Sequence, residues 1–283
     1  MKLTLCAFAD EAGSSLKEQI DALKRNNIQY VELRSINGKN VFDFSKEEAK
    51  EYANTLKENN IKVWSIGSPI GKVDINIDFK EYLLKIISFF DICHIFNCDK
   101  IRMFSFFNAY DKKEMVMKYL NALVEEANKY GISLYHENEK DIYGDNVQRV
   151  LEIKDNVPGL KFIYDPANYI QVGQDIEEAL EITFPFTDYF HIKDCLIDGG
   201  EVVPCGRGDA QMKKMLSMIS HDVTLTLEPH LKIFDGYKNI DKLELKNKYE
   251  YPSNKEAFDA AVKHLKGTLN DLGYKEIEGG FIK

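Results

Sequence analysis

Four side chains able to bind a divalent cation fall at the ends of four successive β-rich runs. They are Glu137 in His136-Glu137-Asn138-Glu139, Asp165 in Tyr164-Asp165-Pro166, His191 in Phe190-His191-Ile192-Lys193-Asp194 and Glu228 in Leu227-Glu228-Pro229-His230. Their separations, 28, 26 and 37 residues (165 − 137, 191 − 165, 228 − 191), are each close to one strand-plus-helix unit. Groups so spaced stand on neighbouring strands at similar height. Three carboxylates drawn together repel and raise one another's pKa, a cost that a divalent cation among them relieves. One imidazole with oxygen ligands suits Mn²⁺, Fe²⁺, Co²⁺, Zn²⁺ or Mg²⁺, and the lack of a Cys-x-x-Cys pair argues against a structural zinc. A single acid at a strand end is ordinarily a solvated side chain. Four in register from consecutive units are much harder to ascribe to chance.

The elements that must position these groups repeat along the whole chain. Short β-rich runs are expected at Lys2–Ala9, Ile28–Arg34, Ile61–Ile66, Lys100–Phe104, Ile132–Glu137, Leu160–Asp165, Asp188–Lys193 and Val223–Glu228. Their few polar interruptions fit strands buried on both faces. Helical periodicity lies between them, near Ser14–Asn26, Ser45–Asn59, Phe79–Asn97, Asp111–Tyr130, Asp145–Asn156, Ile176–Thr183, Ala210–Ile219 and Asn254–Leu272. Ser45 and Ser253 are placed to cap the second and last of these, and Asn26-Asn27, Asn59-Asn60 and Gly131 to end the helices before them. Eight βα units in 283 residues, about 35 each, predict one (β/α)₈ barrel domain over residues 1–283. An open doubly wound sheet would want a glycine-rich phosphate turn early on, and Asp10-Glu11-Ala12-Gly13 is not one. The longest irregular stretch, Leu231–Pro252 with Lys238-Asn239-Ile240-Asp241 inside it, reads as an extended last βα loop.

Composition narrows the partners. With 37 Lys and Arg against 46 Asp and Glu the net charge is −9, and no basic cluster stands out, so nucleic acid is not an expected partner. The cysteines, Cys6, Cys93, Cys98, Cys195 and Cys205, are odd in number and unpaired in spacing, as reduced thiols are. The chain shows no export signal and no apolar run near the roughly 20 residues that span a bilayer, so a cytoplasmic protein off the membrane is expected.

At the strand ends the chain resembles the xylose isomerase-like barrel superfamily, and within it the sugar phosphate isomerase/epimerase family. The residues that carry the resemblance are Leu134-Tyr135-His136-Glu137-Asn138-Glu139, Asp165-Pro166-Ala167-Asn168, His191-Ile192-Lys193-Asp194, Pro204-Cys205-Gly206-Arg207-Gly208-Asp209 and Leu227-Glu228-Pro229-His230, with a looser match at Glu32-Leu33-Arg34 and Ser68-Pro69-Ile70-Gly71-Lys72. The resemblance implies one divalent metal (Mn, Zn, Co, Fe or Mg) on Glu137, Asp165, His191 and Glu228, with Glu137 and Glu228 also carrying the proton. A cation beside a carbonyl and its adjacent hydroxyl acidifies the neighbouring C–H, and carboxylates on opposite faces remove and return the proton through an enediolate. Epimerisation, aldose–ketose isomerisation and dehydration of a keto-inositol share that first step. The superfamily also holds a DNA-repair endonuclease rich in histidine ligands. Here Ser65, Ser68 and Ser105 stand on the third and fourth units, Asn168 follows Asp165, and Asp209-Ala210-Gln211 lacks the histidine wanted there, so that activity is not expected.

Arg34, Lys72, Arg102, Lys193 and Arg207 fall where the rim should be. Singly they would be solvated charges. Together they point to a carboxylate or phosphate on the substrate, held mainly by Lys72, Arg102 and Lys193. Glu32, Arg34, His230 and Arg207 are further substrate-binding candidates, with Asp10 and Glu11 as groups for hydroxyls. Gly206-Arg207-Gly208-Asp209 is a turn in the simpler reading and an anion cradle in the other. Trp64, Phe104, Phe106 and Phe107 belong to the pocket wall or to the core, and His136 beside Glu137 is a supporting or packed histidine. The expected function is a metal-dependent isomerase or epimerase acting on a small sugar-like substrate. The rivals are a dehydratase of the inosose-dehydratase type and a non-catalytic ligand-binding barrel. Self-association into a homo-oligomer is compatible with rim loops of this kind.

Overall fold

The computed structural model describes residues 1–235 and 246–283. Eight parallel strands pair in chain order: β1 (Lys2–Ala7), β2 (Tyr30–Leu33), β3 (Lys62–Gly67), β4 (Lys100–Met103), β5 (Ser133–Glu137), β6 (Lys161–Tyr164), β7 (Tyr189–Ile192) and β8 (Val223–Leu227). β8 returns to β1, from Leu3 opposite Val223 to Ala7 opposite Leu227, and closes the barrel. Each expected strand is present within two residues of its expected ends.

The helices around the barrel are α1 (Leu16–Arg25), α2 (Lys46–Glu58), α3 (Phe79–Ile95), α4 (Lys113–Lys129), α5 (Val147–Asn156), α6 (Pro166–Gln171), α7 (Ile176–Thr183), α8 (Met212–Met218) and α9 (Asn254–Asp271). Ser45 and Glu48 form a reciprocal capping box that starts α2, Ser15 and Glu18 form another at α1, and Ser253 accepts from the Glu256 amide at α9. Asn27, Asn60 and Gly131 end α1, α2 and α4 in the left-handed region. Spacing does the rest: α4 turns Val116, Leu120, Leu123 and Ala127 inward on one face.

Strand pleating puts Tyr135 and Tyr189 one layer below Glu137 and His191 inside the barrel. Their rings lie 5.4 Å apart, and Trp64 from β3 packs 5.1 Å from Tyr189 with its indole N–H donated to Thr224. Trp64 is therefore floor rather than pocket wall. Above the strands, Phe104, Phe106 and Phe107 donate amide N–H groups to Ile70, Gly71 and Val73, so the loops after β3 and β4 continue as one backbone-bonded wall. Gly71 has φ +86, and a Cβ there would collide with the Phe104 carbonyl.

The tail has a role the sequence left unassigned. β9 (Lys275–Ile277) and β10 (Gly280–Ile282) form a hairpin, and β10 runs antiparallel to Lys2–Thr4 of β1. β2 reaches β1 only at Cys6 and Ala7, so β10 takes ladder hydrogen bonds that the first half of β1 would otherwise lack. All five cysteines are buried free thiols. No helix among the described residues is long and apolar enough to cross a membrane. Lys238-Asn239-Ile240-Asp241, inside the expected Leu231–Pro252 loop, lie outside the described residues.

Candidate active site

The C-terminal ends of β5 to β8 bring Glu137, Asp165, His191 and Glu228 together, with one ligand atom from each lying within 4.8 Å of the others. All four are at most 2% exposed, so none is an ordinary solvated acid. Asp165 follows β6 and begins α6, with Pro166 at the first helical position. Its Oδ1 caps the Asn168 amide at 3.1 Å, which leaves Oδ2 for the cluster. Asn138 fixes the same turn, giving its amide to the Asp165 carbonyl at 2.8 Å and accepting from the Asp165 N–H at 2.9 Å.

Each glutamate is held by one oxygen and presents the other. Glu137 Oε2 meets Arg102 at 3.1 Å while Oε1 lies 2.9 Å from His191 Nδ1. Glu228 Oε1 meets Arg34 at 3.1 Å while Oε2 lies 3.1 Å from the same Nδ1. Lys193, two residues beyond His191, sets its ammonium 2.7 Å from Asp165 Oδ2 and 3.5 Å from Glu228 Oε2. Those two carboxylate oxygens are buried and accept no directed hydrogen bond, which leaves lone pairs aimed into the cluster. Three carboxylates, two of them presenting such oxygens, and one imidazole nitrogen fit a single divalent ion.

Electrostatics agree with that donor set. Burial pushes Asp165 up to about 7, opposed by Lys193 and reinforced by Glu228 and Glu137. Burial opposes charge on His191, yet the Glu137 and Glu32 carboxylates hold its pKa well above the usual value. Burial likewise opposes charge on Lys193, and Asp165 and Glu228 outweigh it. Glu228 is held well below the carboxylate range against its burial, chiefly by Lys193 and His191. The cluster favours positive charge, held here as protons on Asp165, His191 and Lys193, and a dication could supply it instead.

The family follows from the whole chain as well as from these groups. A model of the xylose isomerase-like TIM barrel matches residues 20–242. The chain belongs to that family. Among solved xylose isomerase-like and related barrels, it resembles the probable 3-DHS dehydratase AsbF from Bacillus anthracis, with 16% identity, TM-score 0.68 and coverage of 94% of this chain and 99% of that one. The IOLI protein with a bound zinc atom gives 16% identity, TM-score 0.72 and coverage of 96% and 99%. D-psicose 3-epimerase, solved in the presence of D-fructose, gives 14% identity, TM-score 0.71 and coverage of 95% and 99%. At these identities the likeness is one of fold. No curated protein sequence matches the chain.

Within this xylose isomerase-like barrel the remaining candidates separate. Lys72, Arg102 and Lys193, which the sequence marks as holders of an anion, each have an internal carboxylate: Lys72 meets Glu139 at 3.1 Å, and the other two meet the cluster. Arg34 is buried, in ion pairs with Asp10, Glu11 and Glu228, so neither it nor those acids stands ready for a substrate hydroxyl. His230 sits at φ +44 with its backbone N–H on Glu11 Oε2 at 2.7 Å, tying the loop after β8 to the end of β1. Glu32 lies behind the His191 ring rather than at a substrate position, for a reason pattern reading could not reach: it depends on which ring edge faces the barrel axis. Arg207 is exposed and stands near His264 of α9, away from the cluster. The Gly206-Arg207-Gly208-Asp209 turn is no anion cradle, because the amides of Gly206, Gly208 and Ala210 already serve the Asp194 carboxylate at 2.8, 3.0 and 3.1 Å. His136 faces away from the cluster, with Nε2 3.0 Å from the Ser105 hydroxyl, and burial lowers it to about 3.

Sequence reading missed the part played by Asn138 and Asn168. Asn168 reaches Glu137 Oε1 at 3.5 Å and the Asn138 carbonyl at 2.9 Å. The signal was present in Asp165-Pro166, a cap followed by proline at a helix start.

Proposed function

We propose that this protein is a divalent-metal-dependent isomerase or epimerase of a polyhydroxylated carbonyl compound, working by proton abstraction beside the carbonyl. The observation that carries the reading is the convergence of Glu137 Oε1 and Glu228 Oε2 on one buried cluster able to hold a metal, 2.9 and 3.1 Å from His191 Nδ1. Glu137, Asp165, His191 and Glu228 would hold the ion. When bound, it supplies Lewis acidity that makes the C–H beside a carbonyl removable. Glu137 and Glu228 take and return the proton, each oriented by its arginine. Arg34 and Arg102 stay charged throughout and keep the outward oxygens of the two glutamates occupied, so proton traffic is confined to the inward ones.

The charge of the site favours a neutral substrate over the anionic one inferred from the sequence. Seven carboxylates (Asp10, Glu11, Glu32, Glu137, Glu139, Asp165, Glu228) face four cations (Arg34, Lys72, Arg102, Lys193) at and beside the cluster, with Glu139 feeling the charge of Lys193 and Glu228. With His191 neutral as a ligand, three excess negative charges become one when a dication binds. The balance reaches zero when Glu11, pushed up to about 8 mainly by burial, keeps its proton. A phosphate dianion would add charge that no uncommitted buried cation among these four is there to meet.

A dehydratase is the second reading, favoured by Lys193: a buried ammonium 3.5 Å from Glu228 Oε2 is an acid placed to protonate a departing hydroxide. Incubating candidate ketoses with metal-loaded protein in D₂O separates the two. Deuterium incorporation with retention of the substrate's oxygen count supports isomerisation or epimerisation. Loss of water indicates the lyase, and no exchange with any ketose contradicts both.

A further inference from the structure

The two nitrogens of His191 face different partners. Nδ1 points at Glu137 and Glu228, whereas Nε2, on the opposite edge of the ring, lies 3.3 Å from Glu32 Oε2. Glu32 is 1% exposed, and its other oxygen accepts the Tyr189 hydroxyl at 3.0 Å. Tyr189 is two residues before His191 on β7, so it points into the barrel directly below it, and its ring packs 5.6 Å from the imidazole. Phe8 closes the other side edge-on at 5.3 Å. The carboxylate therefore has both oxygens engaged and no freedom to turn toward a substrate.

We infer that Glu32 is a positioning residue for the metal. It accepts the Nε2 proton of His191, which fixes the tautomer and turns the Nδ1 lone pair toward Asp165, Glu137 and Glu228, while Tyr189 holds Glu32 in place. A metal-bound histidine whose far N–H meets a carboxylate is a more basic and better oriented ligand, and loss of that partner ordinarily weakens metal affinity by about 10–100-fold. The inference rests on the reading of the four-residue cluster as a metal site.

The test measures Co²⁺ and Zn²⁺ affinity by competition against a chromophoric chelator, with the d–d spectrum of the Co²⁺ form as a second readout. Wild type, Glu32→Leu, Glu32→Gln and Tyr189→Phe are compared, each checked for folding by its circular dichroism melt. The expected result is tight binding by wild type, a loss of about 10–100-fold in Glu32→Leu with a shifted d–d band, partial rescue in Glu32→Gln, which keeps an acceptor, and a smaller loss in Tyr189→Phe. Should Glu32→Leu fail to fold, Glu32→Gln and Tyr189→Phe decide alone. Folded variants with wild-type affinity and an unchanged spectrum overturn the role of Glu32 while leaving the metal site intact. A wild-type protein that binds neither ion overturns the metal reading itself, and the inference with it.

Discussion

Arg102 donates to Glu137 Oε2 at 3.1 Å while the same glutamate offers Oε1 to His191 at 2.9 Å, so one buried carboxylate is divided between a fixed cation and the four-residue cluster. The division ties Arg102 to stability as well as to the geometry of the site. Removing it in Arg102→Met leaves Glu137 without its guanidinium in a buried place, and a cost of about 3–5 kcal/mol is expected in urea unfolding. The double variant Arg102→Met/Glu137→Gln recovers much of that loss, because the uncompensated charge is gone. Equal stability in the two variants would show that the pair is not coupled.

Glu137→Gln and Glu228→Gln keep an oxygen for the metal and lose the capacity to carry a proton. Each is expected to lower kcat by about 10²–10⁴-fold with a smaller change in KM, measured on whichever ketose shows exchange in D₂O. A fall in KM-linked binding alone would assign the glutamates to substrate recognition instead.

The metal-free protein should lose stability as pH rises from about 4.5 to about 8. Asp165, raised from 3.8 to about 7, and Glu11, raised from 4.5 to about 8, hold protons in the folded state that the unfolded chain has already released. His191, raised above 6.5, keeps its proton longer in the folded state as well. All three bind more protons folded than unfolded, so stability falls through this window. Glu228, lowered in the folded state, acts the other way, and its contribution is lost as pH falls below 4.5. Metal restores stability most at the high end, by about 2.7 kcal/mol at a hundred times its Kd. Thermal melts with chelator and with metal at both pH values check this, and a metal effect larger at the acidic end would contradict it.

Neutral ketoses should be turned over at least about tenfold more efficiently than their phosphate esters, a difference near 1.4 kcal/mol in kcat/KM. The comparison requires only matched pairs of substrates. A preference for the esters would return Lys72, Arg102 and Lys193 to the anion-holding role the sequence had implied.

The barrel was readable because eight units repeat one pattern, and because capping residues such as Ser45 and the Asn59-Asn60 stop are local signals that depend on neighbours a few residues away. The four cluster residues were readable for the same reason, since register along consecutive strands converts sequence spacing into proximity. What pairs with what was not. Arg34 joins β2 to acids after β1 and β8, and Glu32 meets His191 across the barrel interior, contacts that depend on rotamer and barrel closure rather than on order in the chain. The β10 hairpin was hidden because its pairing partner, β1, lies at the other end of the sequence.

Whether Glu137, Asp165, His191 and Glu228 hold a divalent ion is decided by the metal content of the purified protein. Measured by inductively coupled plasma mass spectrometry after purification without chelator and reloading, wild type is expected to hold about one divalent ion per chain, and folded Asp165→Asn and His191→Ala variants well below that. Absence of a stoichiometric ion in wild type, or an unchanged content in both variants, would mean that these four residues do not form a metal site.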